Sequence, residues 1–204
     1  MIDIVQTGDA CTATMAGLQV SWRRQTDRWS HTIQFSAADD DCLSSAEGSP
    51  EDDFPASPAF QDLRVEARSN QICEFQLMGQ SGGHLFSAAI CCDAAQASVE
   101  FDICCRLAPR ITPENILSTY IVGAGAGRLA DAASPLMRGA LVTLAGRYTL
   151  EALPLADELH AAVRMPATEP GGQLQIGCFE IGPLQTSARR RRVRWRYRLS
   201  RNTA

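Results

Sequence analysis

The chain has 204 residues, 45% of them hydrophobic and 21% charged, with a formal net charge of −4. This is a globular composition; it excludes a disordered chain, and no apolar run approaches the roughly 18 residues a membrane-spanning helix needs. Charge is unevenly placed: 23 acids and 11 arginines precede residue 189, eight arginines and no acid follow from there, and lysine is absent.

The opening MIDIVQTGDACTATMAGL has no basic segment followed by a long apolar core, so no secretory leader is read and the cytoplasm is the expected compartment. The first strand signal is the period-two pattern of LQVSWRR, with Leu18, Val20 and Trp22 on one face, and of RWSHTIQFS, with Trp29, His31, Ile33 and Phe35 on one face. A polar link over 23–28 suits a hairpin that sets Trp22 against Trp29, Val20 against His31 and Leu18 against Ile33. The acidic, proline-containing stretch 37–61 reads as one long loop.

Strands are expected at Leu63–Ala67 and Ile72–Met78. The stretch SAAICCDAAQASVEFDICCRL then folds about Asp93–Ser98, opposing Cys92 to Val99, Ile90 to Phe101, Ala88 to Ile103 and Phe86 to Cys105. This register sends neighbouring cysteines to opposite sides of a sheet, so the two doublets do not jointly clasp a metal. Without a C-x-x-C spacing and with three histidines, the eight cysteines read as reduced, mostly buried thiols, and no metal or cofactor is expected.

Further strands are expected at Leu117–Val122, Leu141–Leu144, Tyr148–Leu150, Leu174–Ile181 and Arg192–Leu199, with short helices near 129–138 and 155–164. Together these give a single β-rich domain over 1–204, an antiparallel β-sandwich or partly open barrel of about ten strands. In RVRWRYRL, Val193, Trp195, Tyr197 and Leu199 alternate with Arg194, Arg196 and Arg198. A half-buried strand explains that alternation and a disordered basic tail does not; Glu100, Asp102, Glu66 and Asp62 are the candidate partners for its arginines.

Several motifs carry less than they suggest. VGAGAGR lacks the third glycine or alanine of a dinucleotide loop and any βαβ context. Gly79–Gly83 fits G-x-S-x-G around Ser81, but not in a strand-to-helix elbow, and His84 beyond it reads as exposed. His160 has no assignable partner. Acidic residues 39–41, 47 and 51–53 match no calcium-loop spacing, and Glu47 with Glu66 is a glycosidase couple only if the fold brings them together. His31 stands out because it occupies an apolar-face position, either as a buried neutral histidine or lining a cleft.

The stretches DRWSH (27–31), EGSPEDDFPASP (47–58) and WRYR (195–198) resemble a family of uncharacterised bacterial proteins, best represented in planctomycetes, with D-R-x-x-H, E-G-x-P-x-D-D-x-P-x-S-P and W-x-Y-R stretches. The resemblance implies no activity. It directs attention to Asp27, Arg28, His31, Glu47, Asp52, Asp53 and Gln61, and to an acidic proline loop folded over the first hairpin and pinned by Arg28.

Three functional readings follow, in order. The first is a binding or interaction module for a carbohydrate or other small polar ligand, or for a protein partner, with Trp22, Arg28, Trp29, His31, Asp52 and Asp53 at the ligand. The second is a carbohydrate-active hydrolase or lyase with His31 or Glu47 as acid/base. The third is nucleic-acid or phosphate binding through Arg194, Arg196 and Arg198, which requires those arginines to be unpaired. No membrane partner is expected, and a free sheet edge is a candidate oligomer contact.

Overall fold

The computed structural model describes residues 1–35, 42–48, 55–108, 115–124, 137–138, 141–144, 146–155, 162–164, 172–179 and 192–202. Two antiparallel sheets pack face to face as a sandwich that does not close into a barrel. One sheet has nine strands, in the order β1 (Asp3–Gln6), β2 (Ala10–Met15), β3 (Leu18–Gln25), β4 (Arg28–Gln34), β5 (Cys42–Ser45), β10 (Ile116–Val122), β15 (Gln173–Cys178), β14 (Ala162–Arg164) and β11 (Met137–Arg138). The other has seven, in the order β12 (Leu141–Leu144), β13 (Tyr148–Leu153), β16 (Arg192–Arg201), β9 (Ser98–Arg106), β8 (His84–Asp93), β7 (Ile72–Ser81) and β6 (Asp62–Ala67).

The alternation that marks these strands in the sequence is the alternation of their burial. In β16, Val193, Trp195, Tyr197 and Leu199 are buried while the arginines between them are partly exposed. The β8–β9 register is the expected one, Cys92 opposite Val99 through Phe86 opposite Cys105. All eight cysteines are free, and Cys11, Cys73, Cys92, Cys105 and Cys178 are buried. Aromatic rings join the sheets: Trp22 meets Phe75 with centroids 5.7 Å apart, and Phe35 meets Tyr148 at 5.1 Å.

Four expectations need correction. The first hairpin pairs Trp22 with His31, Val20 with Ile33 and Gln25 with Arg28, two residues out of the expected register. Both registers bury the same side chains, so the apolar pattern cannot separate them; the tight turn decides, with Thr26 at φ 51 and its hydroxyl bonded to the Gln25 carbonyl at 2.7 Å. The 37–61 stretch is not a loop throughout, because β5 joins β4 to β10 within it. No α-helix occurs among the described residues: the two expected helices end in β11 and β14, their remaining residues lying outside the described set. His84 is fully buried, not exposed, its Nδ1 accepting from the Ala108 amide at 3.1 Å.

The arginines of β16 are held by the neighbouring strand. Arg194 makes two hydrogen bonds to Asp102, Arg196 bonds Glu100 and approaches Asp102 at 3.5 Å, and Arg198 reaches Glu100 from both Nε (3.2 Å) and Nη2 (2.7 Å). Burial pushes the Glu100 carboxyl up, but the hydrogen bonds and charges of Arg196 and Arg198 outweigh it and hold it below its ordinary value. Of the other two candidate partners, Glu66 pairs with Arg68 instead.

Glu100→Gln leaves Arg196 and Arg198 without their shared carboxylate. The expected cost is about 1 kcal/mol in urea unfolding at low salt, shrinking in 0.5 M salt as screening weakens the native pairing. An unchanged midpoint at both salt concentrations would show that the ladder contributes nothing.

Candidate functional site

His31 lies in the core. β4 places its ring between Trp22 (centroids 4.6 Å apart), Phe101 (5.6 Å) and Tyr120 (5.3 Å), with 9% of the residue exposed. Its Nε2 is 2.9 Å from the Tyr120 hydroxyl, which is 2.6 Å from the Tyr197 hydroxyl. Tyr197 is bonded in turn by Ser118, whose Oγ accepts the Trp195 indole N–H at 3.1 Å. An indole N–H only donates, so one consistent order of protons runs from Trp195 through Ser118, Tyr197 and Tyr120 and ends on His31 Nε2 as acceptor. That order needs a neutral ring, and burial lowers the His31 pKa to about 3.

A second polar group lies where the first hairpin turns. Arg28 is only 4% exposed; its Nε and Nη2 bond the two Asp27 carboxylate oxygens at 3.0 and 3.2 Å. Those bonds hold the Asp27 carboxyl below its ordinary value. Just beyond β5, Glu47 Oε1 accepts from Ser45 Oγ at 2.5 Å, and the same Oγ accepts the backbone N–H of His31 at 2.8 Å. Burial pushes the Glu47 carboxyl up to about 7; the Ser45 hydrogen bond and the Arg28 charge offset part of this, and the Asp27 charge adds to it. Among the described residues, Arg28 Nη1 and Glu47 Oε2 are buried with no hydrogen-bond partner.

Segment 55–61 covers this corner. Pro55 and residues 57–60 are buried, the Phe60 carbonyl accepts the Trp29 amide at 2.7 Å, and Ser57 bonds the Thr119 backbone in both directions at 3.0 Å. Gln61 continues the edge of β7, its side chain donating to the Gln80 carbonyl at 3.1 Å and accepting the Gln80 amide at 2.6 Å. Gly79 permits that approach, since a Cβ there would lie 2.0 Å from the Ala59 carbonyl oxygen.

The structure therefore divides the residues singled out from the sequence. Arg28 and Glu47 share one electrostatic environment at the turn. Trp22 and His31 are packed between the sheets, and Trp29, 6% exposed, is buried beside them. Glu66 is ion-paired on the exposed face of β6, Ser81 sits in the β7–β8 hairpin opposite His84, and Asp52 and Asp53 lie outside the described residues, as do Asp39–Asp41, Glu51, His160 and the glycine turn beyond residue 124. No group of three or more histidine, cysteine or acidic residues among the described residues is arranged to hold a metal. Ser45, Ser118 and Tyr120 were not legible as site residues, because an alternating serine or tyrosine in a strand carries no sign of its partner. No protein-family model matches the chain, and no curated protein is significantly similar to it.

Glu47 gives stability a pH dependence of known sign. The folded protein holds the Glu47 proton up to about pH 7, whereas the unfolded chain releases it near the ordinary value of 4.5. The contribution is full below pH 4.5 and declines as pH rises to 7, by roughly 1–3 kcal/mol in all. His31 acts in the opposite sense, its neutral form losing stability as pH falls from 6.5 towards 3. Because His31 is common to both proteins, the stability difference between wild type and Glu47→Gln isolates the carboxyl. Urea titrations across pH 4–8 are expected to show that difference falling as pH rises; a flat difference would place Glu47 in solvent.

Proposed function

We propose that this protein is a ligand-binding β-sandwich module whose site is the Arg28–Glu47 corner, taking a neutral polyhydroxylated ligand of the carbohydrate class. One observation carries the reading: a donor, Arg28 Nη1, and a carboxyl oxygen, Glu47 Oε2, are both buried and unmatched among the described residues of one small region. Leaving such atoms unpaired costs about 1–3 kcal/mol each, more when charged, so a group that satisfies them is bound favourably. A hydroxyl both accepts and donates, so a polyhydroxylated ligand offers partners of both kinds. Net charge in the ligand is disfavoured on either side, an anion by Asp27 and Glu47 and a cation by Arg28.

The raised Glu47 pKa supports a second reading, hydrolysis with Glu47 as general acid, since a carboxyl poised near 7 suits that role. Asp27, the neighbouring carboxylate, is engaged by Arg28. His31 is no base in either reading, because its Nε2 is committed to Tyr120 within the core.

Saturation-transfer NMR with defined monosaccharides and disaccharides tests the binding reading directly. At pH 8, where Glu47 is ionised, saturable binding is expected for at least one sugar, weakened about tenfold or more by Glu47→Gln, the loss that follows from removing one charge-assisted hydrogen bond. No saturable binding across the panel overturns the carbohydrate assignment, and release of reducing ends from a disaccharide moves the protein to the hydrolase reading.

A further inference from the structure

Three thiols meet in the core. Cys73 on β7 and Cys92 on β8 are directly opposite, and Cys11 on β2 of the facing sheet lies near enough to couple electrostatically to both. All three residues are 0% exposed. Burial pushes the Cys11 thiol up to about 11, whereas the Cys73 thiolate is favoured by a hydrogen bond from Cys92. The outward doublet partners Cys91 and Cys104 are partly exposed and pair across the sheet with Glu100 and Ser87, not with cysteine.

We propose that Cys73 and Cys92 are a modification site, a cross-strand dithiol that closes to a reversible disulfide when the protein meets a peroxide. The register supports the geometry. The Ala94 amide bonds the Gln71 carbonyl at 2.8 Å, and ladder bonds alternate along an antiparallel pair, so Cys73–Cys92, two steps further on, is again a hydrogen-bonded pair. Such pairs have Cα atoms about 5.5 Å apart, within the disulfide range, while the Cβ atoms must draw together by about 1–2 Å. That adjustment strains the bond and makes it labile to thiols.

Access comes from the position of the pair in the hairpin. Cys73 is two residues from exposed Gln71, and Cys92 is three residues from exposed Ala95, so opening of the strand ends reaches both sulfurs without unfolding the sheet. The Cys73 thiolate attacks the peroxide O–O bond, giving a sulfenic acid and one water once the leaving oxygen is protonated. The Cys92 sulfur then displaces the sulfenic oxygen, the S–S bond forms, and the second water leaves. Two thiols are oxidised by two electrons and one hydrogen peroxide is reduced to two waters.

The test treats the full chain and its Cys91→Ser variant with hydrogen peroxide, alkylates remaining thiols in denaturant, and digests with trypsin and a glutamate-specific protease. Cleavage after Arg68, Glu74 and Glu100 separates Cys73 in residues 69–74 from Cys92 in 75–100. The expected product is a disulfide joining those two peptides in both proteins, absent without peroxide and removed by millimolar dithiothreitol. Cys91→Ser sits on the outer face and excludes the neighbouring sulfur as the partner. Free Cys73 and Cys92 after peroxide overturns the proposal, and so does a link from Cys73 to Cys11.

Discussion

The structure depends on a chain of buried polar groups that joins its two sheets: Trp195, Ser118, Tyr197, Tyr120 and His31, taken alternately from β16 and β10 and ending on β4. The hydrophobic contacts around it supply most of the driving force, but apolar attraction is non-directional and leaves two flat sheets free to slide. Hydrogen bonds between them do not. A shift by one residue pair breaks the three links that cross between the sheets, Trp195–Ser118, Ser118–Tyr197 and Tyr197–Tyr120, and each buried group left unpaired costs about 1–3 kcal/mol. The apolar rings stack around this chain, Phe101 nearly parallel to Tyr197 at 4.7 Å and His31 beside Trp22, so packing and polar satisfaction favour one arrangement of the sheets.

The same chain explains why His31 and Glu47, neighbours through Ser45, have opposite characters. Ser45 takes the His31 amide and gives its own proton to Glu47, which fixes β4 against the end of β5. The histidine ring points into the sealed interior and stays neutral, while the carboxyl lies at the rim of the fold near Asp27 and Arg28. Structure and candidate chemistry are thus separated within a few residues: the interior half stabilises, and the rim half retains unmatched hydrogen-bonding capacity. The arginine-rich end of the chain follows the same logic, its charges being used within the sheet against Glu100 and Asp102.

Fold class was legible in the sequence because period-two burial is written into nearly every long strand. The β8–β9 hairpin was readable to the residue, since its inward face is continuously apolar on both sides of a turn of fixed length. The β3–β4 hairpin was not, as a slip of two residues leaves all inward side chains inward, and a threonine at positive φ is not an expected turn former. β11 and β14 escaped because two or three residues hold no period, β5 because it lies within the acidic, proline-containing stretch, and β1 and β2 were not read from the sequence either. At the site, Arg28 and Glu47 were visible as isolated candidates, whereas their shared environment depends on a β5 that the sequence presents as loop. His84 was misjudged for a related reason: the two glycines before it mark a turn, but the chain at Ala108 that bonds it is distant in sequence.

The measurement that bears most directly on this account is the pH titration of the His31 imidazole nitrogens by ¹⁵N NMR. A neutral ring with Nε2 unprotonated and accepting a hydrogen bond is the predicted state, unchanged from pH 8 down to 5 because burial holds the pKa to about 3. Titration within a unit of the ordinary value of 6.5, or a proton resident on Nε2, would contradict it: the chain of polar groups would then run differently, and the interior that it joins would be open to water.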